Sequence, residues 1–306
     1  MLKGYPMKKL ISFFLTLLLC GAPALSSAET VVASFYPIYL FALNLLDGID
    51  GVEVASLAEP TSGCLHDYQL QTSDMKALAR ADVFLINGAG MEGYLENVFE
   101  AFPALPVADA SRGVTLLEDC TDHGHDHDGH DHEHAYNAHI WLDAKNASLM
   151  VSNLAEGLIA ALPAHAEAIA ANRDAYVVRL AALDAEIASA LSALSRKDII
   201  TFHEAFPYFA NAYGLNVAAV INRDPDDALS PRQLAEMCRT VKSLGAPPLF
   251  TEPQYEDMAA RTISRETGAP LYALDPIVTG PADAALTRYE DVMRQNLAVL
   301  LEALGQ

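Results

Sequence analysis

The chain has 306 residues, 52% of them hydrophobic and 19% charged, with 19 Lys plus Arg against 40 Asp plus Glu and a formal charge of −21. That balance argues against nucleic acid as a partner, because neutralising phosphates needs basic patches. The apolar content excludes wholesale disorder, and at roughly 100–200 residues per domain the length predicts about two domains with their own cores.

The first segment reads as an export signal. Met7-Lys8-Lys9 is a short basic stretch, residues 10–19 are almost wholly apolar, and small residues lead to Ser26-Ser27-Ala28. This predicts a secretory signal over 1–28, cleaved after Ala28, with Met7 a better start than Met1. Cys20 offers a lipid-attachment reading, but Leu19 before it is a poor match to the small residue such a site takes. No later stretch reaches the ~18 apolar residues of a spanning helix, so no stable membrane span is expected. The rest of the chain keeps Cys64, Cys120 and Cys238. Three thiols in an oxidising compartment leave at least one without an internal partner. Cys64–Cys120 is a conceivable bridge that the sequence does not establish. With no CxxC or CxxxC pair, a sulfur-rich zinc site is not expected.

Short β-branched runs then alternate with helical patterns. Strands are expected at 31–35, 53–57, 83–87 and 107–108, with helices at 38–46, 73–79 and 92–102 between them. The run Val83-Phe84-Leu85-Ile86 is continuously apolar, the mark of a strand buried on both faces. A second series follows: strands at 198–202, 217–221, 249–251 and 271–274, and helices at 205–213, 231–244, 257–267 and 284–304. Ser230 is the expected N-cap of the 231–244 helix, with Pro231 in its first position. Two α/β lobes with mainly parallel sheets are predicted, one over 29–162 and one over 196–306. Between them, 163–195 has no Gly and no Pro after Pro163, and Ile169, Tyr176, Leu180, Leu183 and Ile187 recur at helical spacing. About 32 residues at ~1.5 Å each make a connecting helix of roughly 48 Å, stiff enough to limit lobe motion.

One segment breaks this pattern. Residues 121–136 read TDHGHDHDGHDHEHAY, with His123, His125, His127, His130, His132 and His134 interleaved with acids. Such a composition buries no core and predicts a loop inserted into the first lobe. Alternating imidazole and carboxylate suits weak, multi-site capture of zinc, copper or nickel.

Four residues outside that loop can serve a single metal. His66 follows the second strand, His139 follows the insertion, His203 directly follows the 198–202 strand, and Asp275 follows the 271–274 strand. Ligands of open α/β sheets bind beyond the carboxyl ends of strands, and three imidazoles with one carboxylate make a tetrahedral set suited to Zn²⁺. Taken singly, each has an ordinary structural explanation; only the set rises above it. His165, the remaining histidine, lies in the long helical segment.

The segments HDYQLQTSD, NAHIWLD, TFHEAFPYF, TEPQY and LDP, in this order, resemble those of the periplasmic metal-binding proteins of ABC importers, specifically the zinc-binding ZnuA type of the ZnuA/TroA-like family. The resemblance covers nearly the whole chain after the signal. It implies that His66, His139 and His203 are imidazole ligands and Asp275 the acidic position, with water as the alternative fourth ligand. Manganese-binding relatives typically place Glu where His203 stands, so a third His favours zinc. Some ZnuA-type proteins carry Glu before the first His, where this chain has Leu65. The implied role is periplasmic capture of Zn²⁺ and delivery to an ABC permease with its ATPase, by a monomer that is not an enzyme. Asp67, Trp141, Asp143 and Glu204 flank the ligands and could orient them, or simply pack and cap.

Other readings differ in what they require. A manganese or iron importer protein would use the same cleft, and an adhesin role is related. A periplasmic zinc buffer or chaperone would work mainly through 121–135. A zinc hydrolase would keep an open coordination position and use Glu204 as base, but no HExxH motif supports it.

Overall fold

The computed structural model describes residues 28–59, 68–118, 136–221, 229–255 and 258–305. The expected signal segment with Cys20, the stretch holding Cys64, Leu65, His66 and Asp67, and Cys120 with the whole His-rich run lie outside the described residues. Cys238 is a free thiol, partly exposed.

Two four-stranded parallel sheets form the framework. The first takes β1 (Glu29–Ala33), β2 (Val52–Ser56), β3 (Val83–Ile86) and β4 (Val107–Asp109) in the order β2-β1-β3-β4. The second takes β5 (Asp198–Thr201), β6 (Asn216–Val220), β7 (Leu249–Thr251) and β8 (Leu271–Ala273) in the order β6-β5-β7-β8. The two orders are the same, and each reverses direction between its first and third strand. That reversal opens a crevice at the carboxyl ends of β1/β3 and of β5/β7. All four residues of β3 are buried, as its apolar run predicts.

Helices begin where local chemistry supports them. The helix α7 (Pro231–Ser243) starts at Ser230, whose backbone N–H donates to Gln233 Oε1 (2.9 Å) while Gln233 N–H returns to Ser230 Oγ (3.4 Å). The helix α2 (Thr72–Leu78) starts one residue earlier than its Ser-Asp signal suggests, because Gln71 N–H donates to Asp74 Oδ2 (2.7 Å). The helix α3 (Leu95–Ala101) starts three residues later than expected. Its would-be first residue, Glu92, accepts instead from the N–H groups of Asn87 (2.7 Å) and Gly88 (3.1 Å). Between them Gly88, Ala89 and Gly90 all take left-handed φ values of 75°, 53° and 83°. Gly88 admits no side chain, since a Cβ there would lie 2.1 Å from Asp109 Oδ1.

The connecting helix expected over 163–195 is one rod that starts three residues late, with a sharp corner before it. The helix α4 (Ala144–Ala161) is followed by a 3-10 turn, Pro163–His165, and then α5 (Ala166–Ser192), the two meeting at 117°. Pro163 suits the tight turn, so regular helix starts only at Ala166. At 27 residues, α5 is ~40 Å long. Ile169, Tyr176, Leu180, Leu183, Ile187 and Leu191 form its buried stripe, which packs on α4, on α1 (Tyr36–Leu45), on α6 (Pro207–Tyr213) and on α9 (Arg288–Leu304).

Both lobes therefore share a core. One buried cluster runs from Val31 in β1 through Trp141 and α5 to Leu304 in α9. A smaller one, with Ile200, Ile221, Val241, Leu249 and Ile263, fills the far side of the second sheet. Polar bonds cross the junction as well: Trp141 Nε1 donates to the Pro276 carbonyl (2.8 Å), Tyr289 Oη to the Trp141 carbonyl (2.6 Å) and Tyr39 Oη to the Ala282 carbonyl (2.8 Å). Among the described residues no single helix is long and apolar enough to cross a membrane.

Candidate metal centre

The second sheet delivers three polar side chains from three strand ends. His203 lies two residues beyond β5, Glu252 directly after β7, and Asp275 two residues beyond β8. From the first lobe, the segment that returns from the insertion brings Asn137 and His139 to the same junction. A single antiparallel bridge, Glu118 to Tyr136, closes the neck of that insertion.

His139 and His203 meet there. Both are buried, and their ring centroids are 5.1 Å apart at 73°. Trp141 packs 5.1 Å from His139, and Tyr255 lies 6.3 Å from His203.

Asn137 sets which nitrogen His139 offers. Its amide nitrogen donates to the Glu204 carbonyl (2.8 Å). Its oxygen then faces His139, accepting the backbone N–H at 3.1 Å and lying 3.2 Å from Nδ1. An amide oxygen only accepts, so this contact calls for the His139 proton on Nδ1.

Asp275 is differently engaged. Asn296 of α9 reads its backbone in both directions, accepting from its N–H (2.8 Å) and donating to its carbonyl (2.7 Å). Its Oδ1 accepts from Ile277 N–H (2.7 Å), and Oδ2 lies 3.8 Å from Arg288. That bond secures a strained turn, since Ile277 is buried, β-branched and left-handed at φ 66°. Burial pushes the Asp275 carboxyl above the usual range, against the pull of the Ile277 N–H and Arg288. Among the described residues, no three His, Cys, Asp or Glu side chains converge closely enough to hold a metal. Asp275 thus does not complete a group with the two imidazoles here, and His66 lies outside the described residues.

Glu252 is a neighbour that sequence reasoning passed over, although TEPQY marked its segment. It is buried, Gln254 Nε2 donates to its Oε2 (2.6 Å), and Oε1 has no hydrogen-bond partner among the described residues. Burial pushes its carboxyl up to about 8 despite the Gln254 bond, with Asp275 adding to the rise. In the first lobe Glu92 occupies the matching position after β3, and burial raises it to about 7 against the backbone donors Asn87 and Gly88. The flanking residues divide. Asp143 caps α4 by accepting from Lys145 N–H (2.8 Å), Trp141 packs edge-on to Phe35 at 5.2 Å, and Glu204 contributes its carbonyl to Asn137.

Two parallel-sheet lobes of like topology, sharing a core and bringing an imidazole from each to their junction, define the two-lobed α/β architecture of a solute-binding protein. The chain belongs to the ZnuA family, described as zinc-uptake complex component A, periplasmic, whose pattern matches residues 31–303. That family consists of solute-binding proteins, not enzymes. The chain is 30% identical over 287 residues to the zinc-binding protein AdcA of Streptococcus pyogenes serotype M6, covering 88% of this chain and 55% of that one. It therefore spans about half the length of such relatives. It is also 30% identical over 310 residues to the high-affinity zinc uptake system protein ZnuA of Brucella abortus (strain 2308), covering 89% and 92% of the two. Among solved structures it is similar to the solute-binding protein FpvC of P. aeruginosa in complex with Ni²⁺, with a TM-score of 0.76, 28% identity and coverage of 90% and 97%.

Proposed function

We propose that this protein captures Zn²⁺ between its lobes and hands it to an ABC permease, whose ATPase drives import. The observation that carries this reading is the buried pair His139–His203, one imidazole from each lobe at 5.1 Å, with His139 presenting Nε2. His66 supplies the third imidazole, and Asp275 or water the fourth ligand. For Asp275 to bind it must loosen its hold on Ile277 N–H, so the metal competes with a strained turn for one carboxylate. The His-rich run 121–135 adds weak auxiliary capture. The segment 1–28 would direct the chain to the periplasm, where it acts as a monomer.

Nitrogen-rich ligation favours zinc over manganese. The nickel complex of FpvC makes nickel the competitor to test first. Because one core runs through both lobes, entry and exit of the ion should involve the loops at the strand ends rather than wide hinge opening. Metal displaces protons from imidazole, so affinity should fall as pH drops through the imidazole range. The test is competition between the chelator-stripped protein and a chromophoric zinc chelator, repeated with nickel and manganese. Zinc bound one to one and at least tenfold tighter than manganese supports the reading. No saturable site, or manganese preferred, overturns it.

A further inference from the structure

We infer that Asn137 is the positioning residue that ties the two lobes' zinc-binding loops together and fixes the ring of His139. The inference rests on the reading of His139 and His203 as zinc ligands.

Asn137 is a buried side chain whose amide uses both ends. Its oxygen addresses His139 twice, at the backbone N–H (3.1 Å) and at Nδ1 (3.2 Å). Its nitrogen crosses to the other lobe and donates to the carbonyl of Glu204 (2.8 Å), the residue after His203. Its backbone is pinned too. The Asn137 N–H donates to the Leu117 carbonyl (3.0 Å), and its carbonyl accepts from Tyr208 Oη (2.9 Å) of the second lobe. The same Tyr208 oxygen accepts from Leu117 N–H (2.9 Å).

A side chain placed only for packing would not need this arrangement. Both polar ends are satisfied, and each reaches one of the two segments that carry an imidazole. The residue also stands at the neck of the insertion, one position after the Glu118–Tyr136 bridge. Ligand orientation is thereby set from a point bonded to both lobes. An amide is the side chain that suits this task. A carboxylate could still accept from His139 but would face the Glu204 carbonyl without a proton to offer, and an alkyl group would do neither.

The test compares Asn137→Ala, Asn137→Asp, His139→Ala and a control, Asn153→Ala, in the metal-stripped full chain. Asn153 is an equally buried amide that bonds the Ala110 and Arg112 carbonyls (both 2.8 Å), apart from the imidazole pair. Zinc affinity, the visible spectrum of the Co²⁺-substituted protein and the metal-free melting temperature are read for each. We expect Asn137→Ala to weaken zinc about 10–100-fold and to alter the cobalt spectrum, the usual consequence of losing a ligand's hydrogen-bond partner. Asn137→Asp should recover most of that affinity, because its oxygen still meets His139. Asn153→Ala should melt lower yet bind zinc within about threefold of wild type. Zinc binding by Asn137→Ala within about threefold of wild type, or Asn137→Asp as weak as Asn137→Ala, overturns the inference. If His139→Ala itself keeps full affinity, the zinc site is elsewhere and the functional reading fails first. If only His139→Ala loses zinc, that reading stands and the role of Asn137 falls.

Discussion

The two lobes solve the same architectural problem with opposite economy. Each has a parallel sheet that reverses order beside its first strand, and each buries a glutamate at the resulting crevice. In the first lobe both Glu92 oxygens are engaged, accepting from Asn87 N–H and Gly88 N–H, and the turn between them takes three successive left-handed residues. In the second lobe Glu252 receives one bond from Gln254, keeps one oxygen without a hydrogen-bond partner among the described residues, and feels the charge of Asp275. The first lobe is a finished support. The second leaves one of its buried carboxyl groups short of donors.

Breaking the site should give the largest effect. His203→Ala should weaken zinc about 100-fold or more, roughly 3 kcal/mol, without a comparable loss in metal-free stability. Isothermal titration of the stripped protein checks this.

Next comes the support in the first lobe. Glu92→Ala leaves two buried N–H groups and a left-handed turn without their acceptor, and should cost about 3 kcal/mol in urea unfolding. The corresponding change in the second lobe should work the other way. Glu252 sits near 8 when folded, above its unfolded value, so the folded state holds that proton more tightly. Its ionisation then costs stability as pH rises from the ordinary carboxyl range through about 8. Glu252→Gln should therefore stabilise the metal-free protein by on the order of 2 kcal/mol at about pH 8.5 and leave it nearly unchanged at about pH 5. Equal effects at both pH values would show that Glu252 is not held protonated. The smallest effect is expected from deleting 121–135, which should remove weakly bound zinc and shift the tight site by less than about threefold.

Much of the framework was legible because its signals are local. The run at 83–86 has no polar face to expose, the apolar stripe of α5 keeps helical spacing, and Ser230-Pro231 is a helix start in itself. The late start of α3 was hidden, because Glu92 looks like a first-turn acid until its carboxylate is seen holding Asn87 and Gly88. The three-residue delay in the start of α5 was hidden for a related reason: a proline fits the first turn of a helix as well as a tight turn before one. At the site, His203 stood out by residue type and strand-end position, and His139 by residue type and its place after the insertion. Asn137 and Glu252 did not, since their roles depend on the opposite lobe and on burial, which no spacing encodes. For Asp275 position was informative, but its engagement with Ile277 was not.

The most direct test is the zinc stoichiometry of protein lacking residues 1–28 and 121–135, stripped with chelator, measured beside the same protein carrying His203→Ala. The account predicts one tightly held zinc per chain in the first and none in the second. Absence of tight zinc from the first, or its persistence in the second, would contradict a centre built on the imidazole pair between the lobes.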